Sequence, residues 1–147
     1  MLYFSAALGS LPPDFLRFHH IGIVVANVQQ AAELLADMLG NGERPESVQQ
    51  LPYQGVNVCF LRLSNSPLLE LVEPLDKESP IYLLASQGGG LHHLCYETRD
   101  IDACISALTP FARIIRKPAD GFDGRQTAFL FVKKKLAGIR LLEIAQI

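Results

Sequence analysis

Two stretches of mixed apolar and polar residues repeat along the chain. Residues 18–25 read FHHIGIVV, and residues 91–98 read LHHLCYET. Their content of β-branched and aromatic residues predicts a strand in each case. Because successive strand side chains point to opposite faces, His20 and His93 lie on the face opposite to Ile21 and Leu94. Each stretch therefore predicts a strand with an apolar face in the core and a histidine-bearing face outside it.

A helix is predicted after each of these strands. Asn27 and Gln30 form a capping-box pattern before apolar residues at helical spacing, and this helix is expected to end at Gly40 and Gly42. The second helix is predicted to begin after Asp100 and to end before Pro110. Each helix should cover the apolar face of the strand that precedes it.

Further strands complete both halves of the chain. They are predicted at 56–63 and 68–72, then from residue 114, at 127–132 and at 139–147, whereas 48–53 is ambiguous. Between the halves, Ser79-Pro80 predicts the start of a short helix that Gly88 to Gly90 ends. Each half thus has the order βαβββ. We expect an N-terminal arm at 1–17 and a single domain at 18–147, with modules at 18–75 and 91–147 and a connection at 76–90.

Composition and charge narrow the possible partners. The chain has 147 residues, of which 49% are hydrophobic, and its formal net charge is −2. This balance offers no broad basic surface for nucleic acid or an anionic membrane, so a small-molecule substrate is the expected partner. Its 3 cysteines form no CxxC motif, which predicts reduced core residues and a cytoplasmic protein.

Two glutamates share the repeat of the histidines. Glu70 follows His20 by the same number of residues as Glu143 follows His93. A single histidine or glutamate of this kind more often has a structural role, but a duplicated fold places equivalent positions symmetrically about one axis. Two imidazoles and two carboxylates suit one divalent ion such as Zn²⁺, Co²⁺, Mn²⁺, Ni²⁺ or Fe²⁺. The repeat therefore predicts one metal site built from these four residues.

Other polar residues near these motifs have simpler interpretations. His19 and His92 are expected on the opposite strand faces, in packing or in hydrogen bonds to the ligand histidines. Glu97 lies on the His93 face and is expected to be an exposed strand residue. The lysine run 133–135 is interpreted as a solvated turn.

Several segments resemble the vicinal oxygen chelate superfamily, which includes glyoxalase I, extradiol dioxygenases, fosfomycin-resistance proteins and methylmalonyl-CoA epimerases. The likeness is closest to the epimerases and extends from about residue 18 to the C-terminus. It rests on the segments HHIGIVV at 19–25, ELVEPL at 70–75, ESPI at 78–81, GGLHHLCYE at 89–97 and DID at 100–102.

The resemblance implies an α+β fold in which two tandem βαβββ modules form a curled, mixed eight-stranded sheet around a metal cleft. It also implies proton abstraction next to a carbonyl, with Glu143 as the catalytic carboxylate and Glu70 as its symmetric alternative. The second proton-transfer residue stays open, because Tyr53 stands where epimerases tend to place a carboxylate. Family members are often dimers, so a homodimer is expected.

The resemblance leaves three hypotheses for the activity. The first is a divalent-metal-dependent isomerase or epimerase that acts on an acyl-CoA-like thioester such as methylmalonyl-CoA. The second is a lyase of the glyoxalase I type that acts on a thiol adduct. The third is a drug-binding resistance protein of the same fold, which would have no use for a complete set of metal ligands.

Overall fold

The predicted duplication is present in the order of the elements. The structure is a computed structural model that describes residues 12, 14–40, 43–134 and 138–147. The first module contains β1 (Arg17–Val24), α1 (Val28–Leu39), β2 (Gln49–Leu51), β3 (Val56–Leu61) and β4 (Leu69–Pro74). After α2 (Tyr82–Ser86), the second module contains β5 (Gly90–Thr98), α3 (Ile101–Leu108), β6 (Ala112–Asp120), a 3₁₀ turn (Phe122–Gly124), β7 (Gln126–Val132) and β8 (Leu141–Gln146).

All eight strands belong to one mixed sheet with the order β2-β3-β4-β1-β5-β8-β7-β6. The antiparallel pair β1 and β5 lies at its centre, and each of these strands has a parallel neighbour, β4 or β8, on its other side. The order is therefore the same when read outward from the centre in either direction. This is the predicted fold of two modules in a curled eight-stranded sheet.

Helices α1 and α3 begin where the sequence pattern predicts. Asn27 Oδ1 accepts a hydrogen bond from the backbone N–H of Gln30 at 2.8 Å, and Asp100 Oδ1 accepts one from Ala103 at 2.9 Å. These side chains satisfy backbone donors that have no partner inside the helix. The first helix ends at Leu39 with Gly40 as its C-cap, whereas Gly42 lies outside the described residues.

Apolar clusters cover both faces of the sheet. On the outer face, α1 packs against Cys59 and Leu71, and α3 packs against Leu130 and Ile144. On the inner face, a second cluster contains Val24, Val58, Phe60, Cys95 and Phe122. The expectation that the histidine-bearing face is not part of the core is therefore wrong. The sheet curls around this face and removes it from water.

Two local predictions differ from the structure, and one open segment takes a definite form. Ser79 does not cap a helix, because α2 starts only at Tyr82 and the Ser79 carbonyl instead accepts the Tyr82 N–H in a turn. The ambiguous segment 48–53 contributes the short edge strand β2. The strand expected from residue 114 already begins at Ala112.

Two predicted segments fall wholly or partly on undescribed residues. Most of the predicted arm at 1–17 lies outside the described residues, and so does Lys135 of the lysine run. Within that run, the ammonium group of Lys133 donates a hydrogen bond to the Thr109 carbonyl at 2.7 Å, so this lysine is more than a solvated residue.

Candidate metal centre

The two predicted ligand histidines meet at the centre of the sheet. His20 of β1 pairs with Cys95 of β5, and His93 of β5 pairs with Gly22 of β1. The two side chains project from the inner face, and their Nε2 atoms are 3.2 Å apart. Both histidines are buried, with 0% and 5% of their surface exposed. The antiparallel pairing of equivalent strands thus brings the repeated histidines together.

The two predicted ligand glutamates come from the parallel neighbours of these strands. Glu70 of β4 pairs with Gly22, and Glu143 of β8 pairs with Cys95. The Oε2 atom of each glutamate is 3.2 Å from both histidine Nε2 atoms. The structure therefore brings all four predicted residues together in one buried group.

The donor set and its spacing fit a divalent metal ion. Protein ligands bind such ions at about 2.0–2.2 Å, which places adjacent ligand atoms roughly 3 Å apart. The Nε2–Nε2 distance and the four Nε2–Oε2 distances in this group, each 3.2 Å, match that value. The buried Glu143 Oε2 also has no hydrogen bond of acceptable geometry among the described residues. A cation is the partner that would satisfy this oxygen, because two buried carboxylates are costly without one.

The protonation of the group reflects the same close approach. Burial lowers the pKa of His93, but the nearby carboxylates of Glu143 and Glu70 outweigh it and raise the pKa to about 10. Burial raises the pKa of Glu143, but the two histidines outweigh it and hold the pKa below its usual range. The pKa of His20 is raised and that of Glu70 lowered by the same contacts. A metal ion would therefore compete with protons on the imidazoles.

Two β-bulges place a second histidine against each ligand histidine. The pairing of β1 with β5 is interrupted at two places, where His19 and His92 are the extra residues. Their Nδ1 atoms lie 2.8 Å and 2.9 Å from the Nδ1 atoms of His20 and His93. The expectation of opposite faces is wrong, because a bulge re-aims the extra side chain. The predicted hydrogen bonding to the ligand histidines is confirmed.

These outer histidines select the tautomer of the ligands. Burial and the nearby His93 lower the pKa of His92 to about 4, and burial and His20 also lower the pKa of His19. Both are then neutral at pH 7 and can accept a hydrogen bond. We assign the Nδ1 proton to each ligand histidine, which donates it outward and leaves the Nε2 lone pair directed at the site.

Aromatic rings cover the ligand histidines symmetrically. Phe60, opposite Glu70 in the β3–β4 pairing, lies 5.3 Å from the His20 ring, and Phe129, opposite Glu143, lies 5.4 Å from the His93 ring. The sequence analysis did not identify these residues. The two phenylalanines do not share the 73-residue offset of the predicted ligands. Only the strand register of the two hairpins shows that they occupy equivalent positions.

Glu97 differs from its expected exposure. Only 8% of its surface is exposed, and its carboxylate forms ion pairs with Arg17 and Arg125. Burial raises the pKa of Glu97, but the two arginines outweigh it and lower the pKa. Arg125 also donates to the Gln146 carbonyl at 2.8 Å. The group therefore joins β1, β5 and the end of β8 beside the site instead of belonging to it.

A cavity of about 1180 Å³ opens at the metal centre. Its wall includes Glu70, His92 and His93, and the rest of it is mainly apolar, with Val72, Ile81, Leu91, Phe129, Phe131 and Leu141 among the lining residues. Small-molecule sites are commonly about 300–1,000 Å³, with few polar groups in an apolar wall. This cavity is therefore large enough for a substrate of considerable size that reaches the ligand group.

Comparison with known proteins shows the family of the chain. The Glyoxalase/Bleomycin resistance protein/Dioxygenase superfamily matches residues 19–129. The chain belongs to this superfamily. It is 37% identical to mitochondrial methylmalonyl-CoA epimerase of Homo sapiens over 136 residues, which cover 88% of the chain and 73% of the relative. It is 35% identical to the ethylmalonyl-CoA/methylmalonyl-CoA epimerase of Cereibacter sphaeroides, over 80% of the chain and 89% of the relative.

Solved structures lead to the same group. Methylmalonyl-CoA epimerase from Mycobacterium tuberculosis superimposes with a TM-score of 0.76 at 26% identity, over 96% of the chain and 95% of that structure. A methylmalonyl-CoA epimerase in complex with methylmalonyl-CoA and NH4+ gives 0.74 at 26% identity, over 90% and 94%. These relatives favour the predicted metal-dependent epimerase over the lyase and the drug-binding protein. None of the helices in the described part of the chain is long and apolar enough to span a membrane.

Proposed function

We propose that this protein is a divalent-metal-dependent epimerase that moves a proton at the carbon next to an acyl-CoA thioester carbonyl, with methylmalonyl-CoA as the substrate. One observation carries the proposal. Two imidazole nitrogens and two carboxylate oxygens converge within 3.2 Å contacts beside a cavity of about 1180 Å³. The resemblance to the epimerases supports this choice of reaction.

The residues proposed as ligands are His20, Glu70, His93 and Glu143. A divalent ion held by them would act as a Lewis acid toward substrate oxygens and stabilise the negative charge that develops when the α-proton is removed. The chain contributes the position of the donors, which the four central strands hold on one face. It also contributes the phenylalanines that keep bulk water away from the ligand histidines.

Glu143 is the carboxylate that we propose for proton transfer. Its carboxylate would take the α-proton when it is released from the ion, a role that the resemblance to this superfamily implies. Epimerisation also needs a proton donor on the opposite face of the α-carbon. Glu70 stands across the pseudo-twofold axis from Glu143, on the other module, and is the symmetric candidate for that role.

The substrate class follows from the wall of the cavity and from the relatives. An acyl-CoA is a long molecule, and the largely apolar cavity has a volume suited to its thioester end and part of its pantetheine arm. Relatives named methylmalonyl-CoA epimerase or ethylmalonyl-CoA/methylmalonyl-CoA epimerase indicate a short branched acyl group that carries a carboxylate. The homodimer and the cytoplasmic location expected from the sequence remain part of this proposal.

The test combines metal analysis with α-proton exchange. The metal content of wild type, His20→Ala and Glu143→Ala should be measured, with Glu46→Ala as a control at an exposed glutamate on the protein surface. Deuterium uptake by methylmalonyl-CoA is then followed on the same samples. We expect about one divalent ion per chain and rapid exchange in wild type and in Glu46→Ala, and loss of both in the site variants. If wild type binds metal but does not exchange the α-proton, methylmalonyl-CoA is rejected as the substrate. If wild type cannot bind metal, the whole proposal is rejected.

A further inference from the structure

Arg116 lies in the same cross-strand row as a ligand of the metal centre. In the sheet, Glu143 of β8 pairs with Phe129 of β7, and Phe129 pairs with Arg116 of β6. The register of β6 and β7 shifts on both sides of Arg116, but its guanidinium lies against the Phe129 ring and the residue lines the cavity, so all three residues project to the inner side. Two strand spacings put the Cα atoms of Arg116 and Glu143 about 10 Å apart, a distance that an arginine side chain and a small acyl group together can span.

The guanidinium of Arg116 has a buried donor without a partner in the described chain, and the residue itself lines the cavity. Its Cζ lies 6.0 Å from the centre of the Phe129 ring, and its Nη2 donates to the Asp120 carbonyl at 3.3 Å. Its Nη1 is buried and has no hydrogen-bond partner among the described residues, although Arg116 lines the cavity. A buried guanidinium N–H without a partner is costly, and an anionic oxygen is the group that would satisfy it.

We propose that Arg116 is a specificity-determining residue that binds the free carboxylate of the acyl group. This inference rests on the proposed function, because it assumes an acyl-CoA at the same metal centre. Arg116 would donate Nη1–H to a carboxylate oxygen of the substrate, while the ring of Phe129 supports the guanidinium from one side. The protein would thereby prefer acyl groups that carry a carboxylate over acyl groups of similar size that lack one.

Two other arginines, Arg113 and Arg140, lie near the same side of the sheet but outside the row of Glu143. Arg113 is exposed and lies 5.4 Å from the Phe131 ring, and Arg140 lies 4.6 Å from that ring. Phe131 belongs to the adjacent row of the sheet, in which it pairs with Leu141 instead of Glu143. Among these three arginines, the row of Glu143 and the unpartnered buried nitrogen single out Arg116.

The experiment measures binding and does not depend on turnover. Dissociation constants for malonyl-CoA and acetyl-CoA should be determined by calorimetry on the metal-loaded wild type, Arg116→Met and Arg113→Met. Methionine keeps an unbranched side chain and removes the charge, and Arg113 is the matched control on the same strand. We expect Arg116→Met to weaken malonyl-CoA binding by about 10- to 100-fold and to leave acetyl-CoA binding nearly unchanged. Arg113→Met should keep the preference of wild type.

Two results would overturn the inference. An equal loss of affinity for both thioesters would show that Arg116 contacts the shared CoA part, for instance a phosphate. An unchanged preference for malonyl-CoA in Arg116→Met would show that it binds no carboxylate. Thermal unfolding of each variant identifies any folding defect. Arg116→Lys keeps the positive charge, so it should retain part of the preference for malonyl-CoA. If wild type does not exchange the α-proton of methylmalonyl-CoA, the proposed function is rejected. The binding constants would still test whether Arg116 recognises a carboxylate, because they do not depend on turnover.

Discussion

The imidazole of His93 occupies the space where a side chain at residue 22 would lie. A Cβ atom built on Gly22 would be 2.1 Å from Cε1 of His93 and 2.5 Å from Nε2. Such contacts are far inside van der Waals distance. Residue 22 is thus glycine because the strand pairing places it directly opposite a ligand histidine. In the other module the equivalent position is Cys95, which has a Cβ and lies opposite His20.

We therefore expect Gly22→Ala to impair the metal centre. The added methyl group must displace the His93 ring, so metal affinity should fall by roughly 10- to 100-fold, as for other losses of ligand orientation. Metal affinity is measured by competition with a chelator. Cys104→Ala is the control, because it changes a buried cysteine of α3 that packs on the outer face of the sheet, and it should bind metal like wild type. Equal affinity of Gly22→Ala and wild type would contradict the prediction.

His92 should influence the metal centre through His93 alone. Replacing it with phenylalanine keeps an aromatic ring but removes the acceptor 2.9 Å from the His93 Nδ1. We expect a 10- to 100-fold loss of metal affinity in His92→Phe, and a partial recovery in His92→Gln, whose amide oxygen can accept the same proton. If both variants bind metal equally, the role of His92 is packing and not the choice of tautomer.

The two glutamates should differ in catalysis although they are equivalent in geometry. Glutamine preserves the size of each side chain and leaves one carbonyl oxygen, but it cannot take up a proton. We expect Glu143→Gln to lower α-proton exchange by about 10²- to 10⁴-fold, the range usual for loss of a general base. Glu70→Gln should lower it less. Exchange rates normalised to bound metal provide the measurement, and the reverse order would assign the base to Glu70.

The carboxylate of Glu97 should stabilise the fold in a pH-dependent way. Burial raises the pKa of Glu97, but Arg125 and Arg17 outweigh it and hold the pKa below its usual range. The contribution of Glu97 is therefore present above the unfolded-state pKa of about 4.3 and is lost as the pH falls through the folded-state pKa. Glu97→Gln should cost about 1–3 kcal/mol of unfolding free energy at pH 7. The difference from wild type should shrink in acid.

Denaturant titrations of wild type and Glu97→Gln at several pH values test this dependence. Glu46→Gln is the control, because its pair with Arg62 is exposed and such pairs contribute about 0–1 kcal/mol. A loss of stability in Glu97→Gln that is the same at every pH would mean that packing, and not the ion pairs, accounts for it.

The sequence by itself determined the repeat and what the repeat implies. The offset shared by His20, His93, Glu70 and Glu143 was sufficient to predict a duplicated module and the four residues that the structure brings together. The caps at Asn27 and Asp100 were equally visible, because an N-cap is a local hydrogen bond between residues three positions apart. Helix caps and repeat offsets depend only on the separation of residues along the chain, so the sequence alone is enough to predict them.

Only the tertiary structure decided the features that depend on pairing between distant strands. The bulges at His19 and His92 break the alternation on which a sequence argument relies, and they turn two residues expected on the opposite strand faces toward the predicted ligands. Curling of the sheet buried the face that alternation alone had placed outside the core. Arg116 became recognisable only through its register with Phe129 and Glu143, because neither its neighbours nor its spacing mark it in the sequence.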